Sequence, residues 1–184
     1  MLALLPELEA ISNAWMEEKN TREKGFSLGF FSPRYLREGP LALVRREGKV
    51  LGFANMWAPL SREELSVDLM RHLPEAPSGV MDYLFTSLML WGKEQGYARF
   101  NLGMAPFSGM MSRSLAPLWH RLGTFLFRHG EHFYNFQGLR QYKEKFDPVW
   151  SPRYLAAPAG LTLPRVLADV ATLIAGSLGG VVRR

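Results

Sequence analysis

Two apolar runs constrain the fold of this chain more than any other feature. Leu41-Ala42-Leu43-Val44-Arg45 and Val50-Leu51-Gly52-Phe53-Ala54-Asn55-Met56-Trp57 flank Glu47-Gly48-Lys49. Strand-like runs joined by a short polar link with Gly at the turn signal a β-hairpin. A third strand is expected around residues 64–70. Leu8, Ile11 and Trp15 share one face of a helix expected from Pro6 to Lys19. Ser32 to Leu36 reads as a short capped turn or helix. Met81, Leu84, Phe85, Leu88 and Trp91 mark a second long helix, with Asp82 in its first turn and Gly96 suited to its C-terminal cap.

Further along, the patterns predict a strand over 97–102, a loop over 104–114, a helix from Leu115 to about His129 and a strand over 133–136. Gly138 to Phe146 alternates basic and bulky residues, the pattern of an amphipathic strand, until Asp147-Pro148 interrupts it. Val149 to Leu155 suits a final strand. A Pro/Ala/Gly linker at 156–160 leads to a last amphipathic helix over 163–182. The expected division is one domain at 1–156, with linker and C-terminal helix at 157–184. The order of elements predicts an α/β (α+β) fold, a mixed central sheet flanked by helices.

Composition narrows the function classes. Of 184 residues, 47% are apolar and 21% charged, which supports a substantial core and excludes global disorder. With no cysteine, disulfides, Cys-ligated zinc, thiolate catalysis and iron–sulfur clusters are excluded. Glu7 and Glu9, with no basic run before them, argue against a signal peptide. No stretch of about 18 uncharged apolar residues exists, so a soluble domain is expected. Charge is uneven: residues 101–184 carry ten Lys and Arg against four Asp and Glu, while residues 1–100 are nearly balanced. A basic half points to a polyanionic partner such as nucleic acid, anionic lipid or a phosphorylated ligand; plain solubility is the alternative.

Familiar catalytic motifs are missing. The sequence has no G-x-x-x-x-G-K-[ST], no G-x-G-x-x-G, no H-E-x-x-H and no G-x-S-x-G. His120, His129 and His132 lack convincing metal spacing. No R-x-x-G-x-G/A segment opens a helix, so acetyl-CoA is not the expected donor. Three segments remain. Asp68-Leu69-Met70-Arg71 could meet on one face of a turn and present a fixed guanidinium to an oxyanion, or form an ordinary surface ion pair. Asn101-Leu102-Gly103-Met104-Ala105-Pro106 makes a sharp exit at a sheet end, where ligands gather, or is a plain turn. Tyr134 to Phe146 interleaves four aromatics with Arg140, Lys143 and Lys145. Rings that stack on unpaired bases and cations that neutralise phosphates would suit RNA, although a solvated strand face would look similar.

Together these segments resemble one family. Asp68 to Arg71, the Met81-Asp82-Tyr83-Leu84-Phe85 helix start, Asn101 to Pro106, and Tyr134 to Phe146 followed by Pro148, Trp150 and Arg153-Tyr154-Leu155 are similar to the C-terminal catalytic domain of bacterial phosphatidylglycerol lysyltransferases, the aminoacyl-phosphatidylglycerol synthases. The resemblance covers roughly residues 5 to 156. It implies the second of two tandem GNAT-like acyltransferase folds, and the order hairpin, helix, strand, Gly-containing loop fits that type. It implies transfer of an aminoacyl group, lysyl or alanyl, from aminoacyl-tRNA to the glycerol hydroxyl of phosphatidylglycerol, at the cytoplasmic face of the bacterial inner membrane. The cationic lipid so formed lowers the attraction of cationic antimicrobial peptides. A preceding GNAT-like domain and a membrane region are expected companions in the full-length protein. The donor ester is already activated, so no cofactor or metal is expected.

By match to the family's motifs, Asp68, Arg71, Lys143 and Lys145 are expected catalytic residues. Arg71 would bind phosphate or oxyanion, Asp68 would orient it, and one lysine, its pKa lowered by desolvation, would act as base. If the segment is a strand, the two lysines share a face. Asn101, Gly103, Met104, Tyr134, Phe136, Arg140 and Tyr142 are the expected substrate-binding residues. The competing readings are an aminoacyl-tRNA-dependent peptidyl transferase acting on a peptidoglycan precursor, and a non-catalytic tRNA- or lipid-binding module.

Overall fold

The computed structural model describes residues 2–19, 29–106, 136–154, 156 and 162–175. The elements are α1 (Leu5–Glu18), a 3-10 turn (Tyr35–Arg37), β1 (Leu41–Arg46), β2 (Lys49–Trp57), β3 (Leu65–His72), α2 (Val80–Glu94), β4 (Phe100–Asn101), α3 (Phe136–Glu144) and α4 (Thr162–Ala175). Chain contacts divide them into two compact units, Met1–Asn101 with Ala156–Arg184, and Leu102–Leu155.

In the first unit the strands lie in the order β1-β2-β3-β4. β1, β2 and β3 pair antiparallel, and β4 joins β3 in parallel after the α2 crossover. The expected class, a mixed sheet with helices, is what forms. Glu47 (φ 52) and Gly48 (φ 82) turn the expected hairpin, both in the left-handed region that a tight two-residue hairpin loop requires. α1 buries Leu5, Leu8 and Ile11 against Val50, Phe53 and Leu69 on one face of the sheet, with Leu36 beside them. α2 buries Leu84 and Leu88 against Val44, Ala54, Met56 and Leu65 on the other. Each fully buried side chain of this size contributes about 1.5–3 kcal/mol relative to exposure. Gly79 (φ 88) precedes α2, and Gly96 (φ 80) follows it, where the sequence suited a C-terminal cap.

One irregularity positions chemistry. Ala54 pairs with Met70 and Met56 with Val67, so Asn55 alone faces both Asp68 and Leu69. This is a β-bulge, and it shifts the side-chain alternation of β3 by one. Leu65, Val67 and Met70 pack with the α2 cluster, whereas Leu69 packs with α1. In a regular strand residues three apart face opposite sides. The bulge brings Asp68 and Arg71 to the same side.

Several expectations need correction. The strand over 97–102 is reduced to Phe100–Asn101, because Tyr97 N–H and Ala98 N–H bond the carbonyls of Gly92 and Arg62, and Arg99 O accepts from Leu65. Gly138 to Glu144 is helical, not a strand, and Phe136 is the first residue of that helix. The period-two reading missed partners four residues apart: Arg140 with Glu144, and Tyr142 with Phe146. The helix ends at Glu144, and a turn leads to Asp147 in a left-handed conformation (φ 46) ahead of Pro148. Val149 to Tyr154 forms no strand. The last helix is present over Thr162–Ala175, with Val170 and Leu173 exposed. Its continuation over 176–182, the helix expected at 115–129 and the strand residues 133–135 lie outside the described residues.

Candidate functional site

Within the first unit, a polar cluster is built on the bulge. Tyr35, presented by the 3-10 turn, donates its hydroxyl hydrogen to Asp68 Oδ2. Trp57 Nε1, at the end of β2, donates to the Tyr35 oxygen at 3.2 Å. Burial, and then the Asp68 carboxylate, push the Tyr35 hydroxyl above its usual range, so it remains a proton donor at neutral pH. The Phe30 ring stacks on Tyr35 at 5.7 Å. Asn55 is 5% exposed, and its Oδ1 accepts the Leu69 N–H at 2.7 Å. Gly29 touches the same spot. A methyl group there would lie 2.6 Å from the Leu69 nitrogen and 2.7 Å from Asp68 Oδ2.

Arg71 follows on the same side of β3. Its guanidinium lies 4.1 Å from the Trp15 ring of α1, and Nη1 donates to the Met70 carbonyl at 3.2 Å. Asp68 and Arg71 therefore do face together, but by a bulged strand rather than a turn, and each has a different neighbour. A guanidinium over an indole face is held there by the ring quadrupole. At the end of β4, Asn101 Nδ2 donates to Glu64 Oε1 at 2.8 Å.

Within the second unit, the predicted exit loop and the predicted lysine come together. Lys143 is only 6% exposed, and its Nζ donates to the Met104 carbonyl at 2.9 Å. Gly103 (φ 75) makes the turn beside it; a Cβ at Gly103 would lie 3.7 Å from that nitrogen. Burial lowers the Lys143 pKa from its ordinary 10.5. The helix separates the two lysines that a strand would have aligned. Lys145 lies past the last helical residue, exposed, with Nζ 5.0 Å from the Tyr142 ring. Arg140 is half-buried, paired to Glu144 at 2.9 Å and stacked 4.4 Å from Trp150, whose Nε1 also donates to Glu144. Met104 is exposed at its side chain. Tyr134 lies outside the described residues.

The sequence reading missed Tyr35, Asn55, Trp57 and Gly29. Only Asn55 carried a signal, as a lone amide inside an apolar strand. Among the described residues no group of three His, Asp or Glu is placed to hold a metal ion, and no helix is long and apolar enough to cross a membrane.

Known proteins resemble this chain along most of its length. The chain is 41% identical over 177 residues to a phosphatidylglycerol lysyltransferase from Bacillus subtilis (strain 168), covering 95% of this chain and 20% of that protein. It thus spans about a fifth of that relative's length. Among solved structures, a C-terminal domain (DUF2156) from Agrobacterium fabrum superposes with a TM-score of 0.79 at 46% identity, covering 94% of this chain and 51% of that one. L-PGS from Bacillus licheniformis superposes at 0.77 with 42% identity, covering 96% and 53%. A sequence profile described as phosphatidylglycerol lysyltransferase, C-terminal, matches residues 1–157. The chain belongs to the family of phosphatidylglycerol lysyltransferase C-terminal domains.

Proposed function

We propose that this chain is the acyl-transfer part of an aminoacyltransferase that esterifies phosphatidylglycerol with an amino acid, lysine in the first instance, taken from aminoacyl-tRNA. The observation that carries the reading is Lys143, a buried amine with a lowered pKa, hydrogen-bonded to the loop carbonyl of Met104. Family membership supplies the substrate class. Residues 1–156 serve as the GNAT-like domain, and 157–184 as linker and helix. A preceding GNAT-like domain and a membrane region complete the enzyme at the cytoplasmic face of the bacterial inner membrane. The product makes the membrane less attractive to cationic antimicrobial peptides.

The chemistry follows from charge and proton demand. A neutral amine at Lys143 keeps two N–H donors and a lone pair, so it can hold the Met104 carbonyl and still accept the proton of a lipid hydroxyl. The lipid oxygen attacks the aminoacyl carbonyl, and the ribose oxygen of tRNA leaves, taking that proton back. Arg71 stabilises the oxyanion or binds the lipid phosphate, with Asp68 on the same face of β3. Asn101, Gly103, Met104, Tyr134, Phe136, Arg140 and Tyr142 contact the substrates, and Lys145 adds positive charge beside the RNA.

The experiment supplies charged lysyl-tRNA with phosphatidylglycerol vesicles or a peptidoglycan precursor. Labelled lipid from the wild type, and loss of at least about a hundredfold in rate with Arg71→Ala, is the expected result. Label on the precursor would establish the peptidyl-transferase alternative. Salt-sensitive tRNA binding without product would establish a binding module.

A further inference from the structure

We infer that Asn55 is a positioning residue: its side-chain amide fixes the bulge in β3 and so sets the common direction of Asp68 and Arg71. The inference rests on the proposed transfer reaction for its kinetic consequence, and on geometry alone for its structural one.

Two observations converge on Asn55. It is the single β2 residue opposite the two bulged residues, Asp68 and Leu69. Its Oδ1 accepts the buried Leu69 N–H, a donor that the extra residue removes from the regular ladder. The carboxylate of Asp68, the other residue of the bulge, accepts from the Tyr35 hydroxyl. One side-chain oxygen thus holds the backbone of the bulge next to that carboxylate.

The alternative register explains why such a tie is needed. Without the bulge, Asp68 and Arg71 would point to opposite faces, and the residues beyond the bulge would swap sides. Leu69 would leave the α1 cluster, and Met70 the α2 cluster. An apolar residue at 55 would strand the Leu69 N–H in a buried place, which favours sliding the bulge along the strand. Asn55 does not itself touch the reacting atoms; it acts through the placement of the other two.

The test uses the full-length protein and two readouts. Amide exchange at Leu69 reports the bulge with no substrate present. The Leu69 amide should be protected in wild type and in Asn55→Asp, which keeps an oxygen acceptor. In Asn55→Leu it should exchange at least about tenfold faster. In lysyl transfer to phosphatidylglycerol vesicles, Asn55→Leu should lower kcat about tenfold or more, with KM for tRNA within about twofold. Asn55→Asp should recover part of that loss. Wild-type exchange and wild-type kcat in Asn55→Leu would overturn the inference. If Asn55→Leu does not fold, Asn55→Asp decides, and loss of Leu69 protection in that variant would overturn it. A wild-type enzyme that transfers nothing counts against the proposed function, and the exchange data then decide the role of Asn55 by themselves.

Discussion

At Gly29 the backbone lies against the candidate site. Its hypothetical Cβ lies within 2.8 Å of the Leu69 nitrogen and of Asp68 Oδ2 and Cγ, so a side chain there forces a shift at this contact. Gly29→Ala is therefore expected to lower the transfer rate on the order of 10- to 100-fold by displacing Asp68, the scale of loss that ångström-size misplacement produces. Steady-state kinetics check this, and an unchanged rate would show that Asp68 is not in the reacting geometry. Lys143 is the complementary case in the second unit. It is buried among residues that place a carbonyl, not a carboxylate, at its ammonium. Its lowered pKa means that the unfolded chain binds more protons between that pKa and 10.5, so this residue opposes folding at neutral pH and less so as pH rises through the window. Lys143→Met should therefore raise the Tm at pH 7, with a gain that shrinks toward pH 10.5. A gain independent of pH would contradict burial of the charge as its cause.

At the scale of elements, α3 is held by its own side chains and by one from the segment that follows it. Arg140, Glu144 and Trp150 form a closed set of one ion pair, one hydrogen bond and one ring contact. The pair is partly exposed, so Glu144→Ala should cost about 1 kcal/mol in urea unfolding, within the range for such contacts. A cost near zero would mean that the set does not hold the helix. The same helix shows what was legible in the sequence. The hairpin, α1 and α2 follow from turn chemistry and apolar spacing, because those patterns report burial on one face. Residues 136–144 were misread because basic and bulky residues also alternate with period two, while the deciding contacts lie at i,i+4. The bulge in β3 was invisible for a different reason. It comes from the pairing register with β2, and no local pattern in Asp68-Leu69-Met70-Arg71 reports what lies opposite. The motif match named Asp68, Arg71 and Lys143 as candidates, and geometry added Tyr35, Asn55 and Gly29 beside Asp68.

At the scale of the whole molecule, each unit by itself carries candidate groups for the proposed chemistry. The sheet unit presents a carboxylate and a guanidinium from one face of a bulged strand. The second unit presents a buried amine at the loop that leaves β4. An ester exchange between charged RNA and a lipid alcohol needs an anion-binding group, a proton acceptor and little else, since the donor is already activated. The chain spans about a fifth of the length of the Bacillus subtilis relative. The most direct test of Lys143 as proton acceptor is the pH–rate profile of lysyl transfer to phosphatidylglycerol, wild type against Lys143→Met. The wild-type rate should rise about tenfold per pH unit and level off below pH 10.5, while the variant should lose at least about a hundredfold and the pH dependence with it. A variant with the wild-type rate and the wild-type profile would contradict the account.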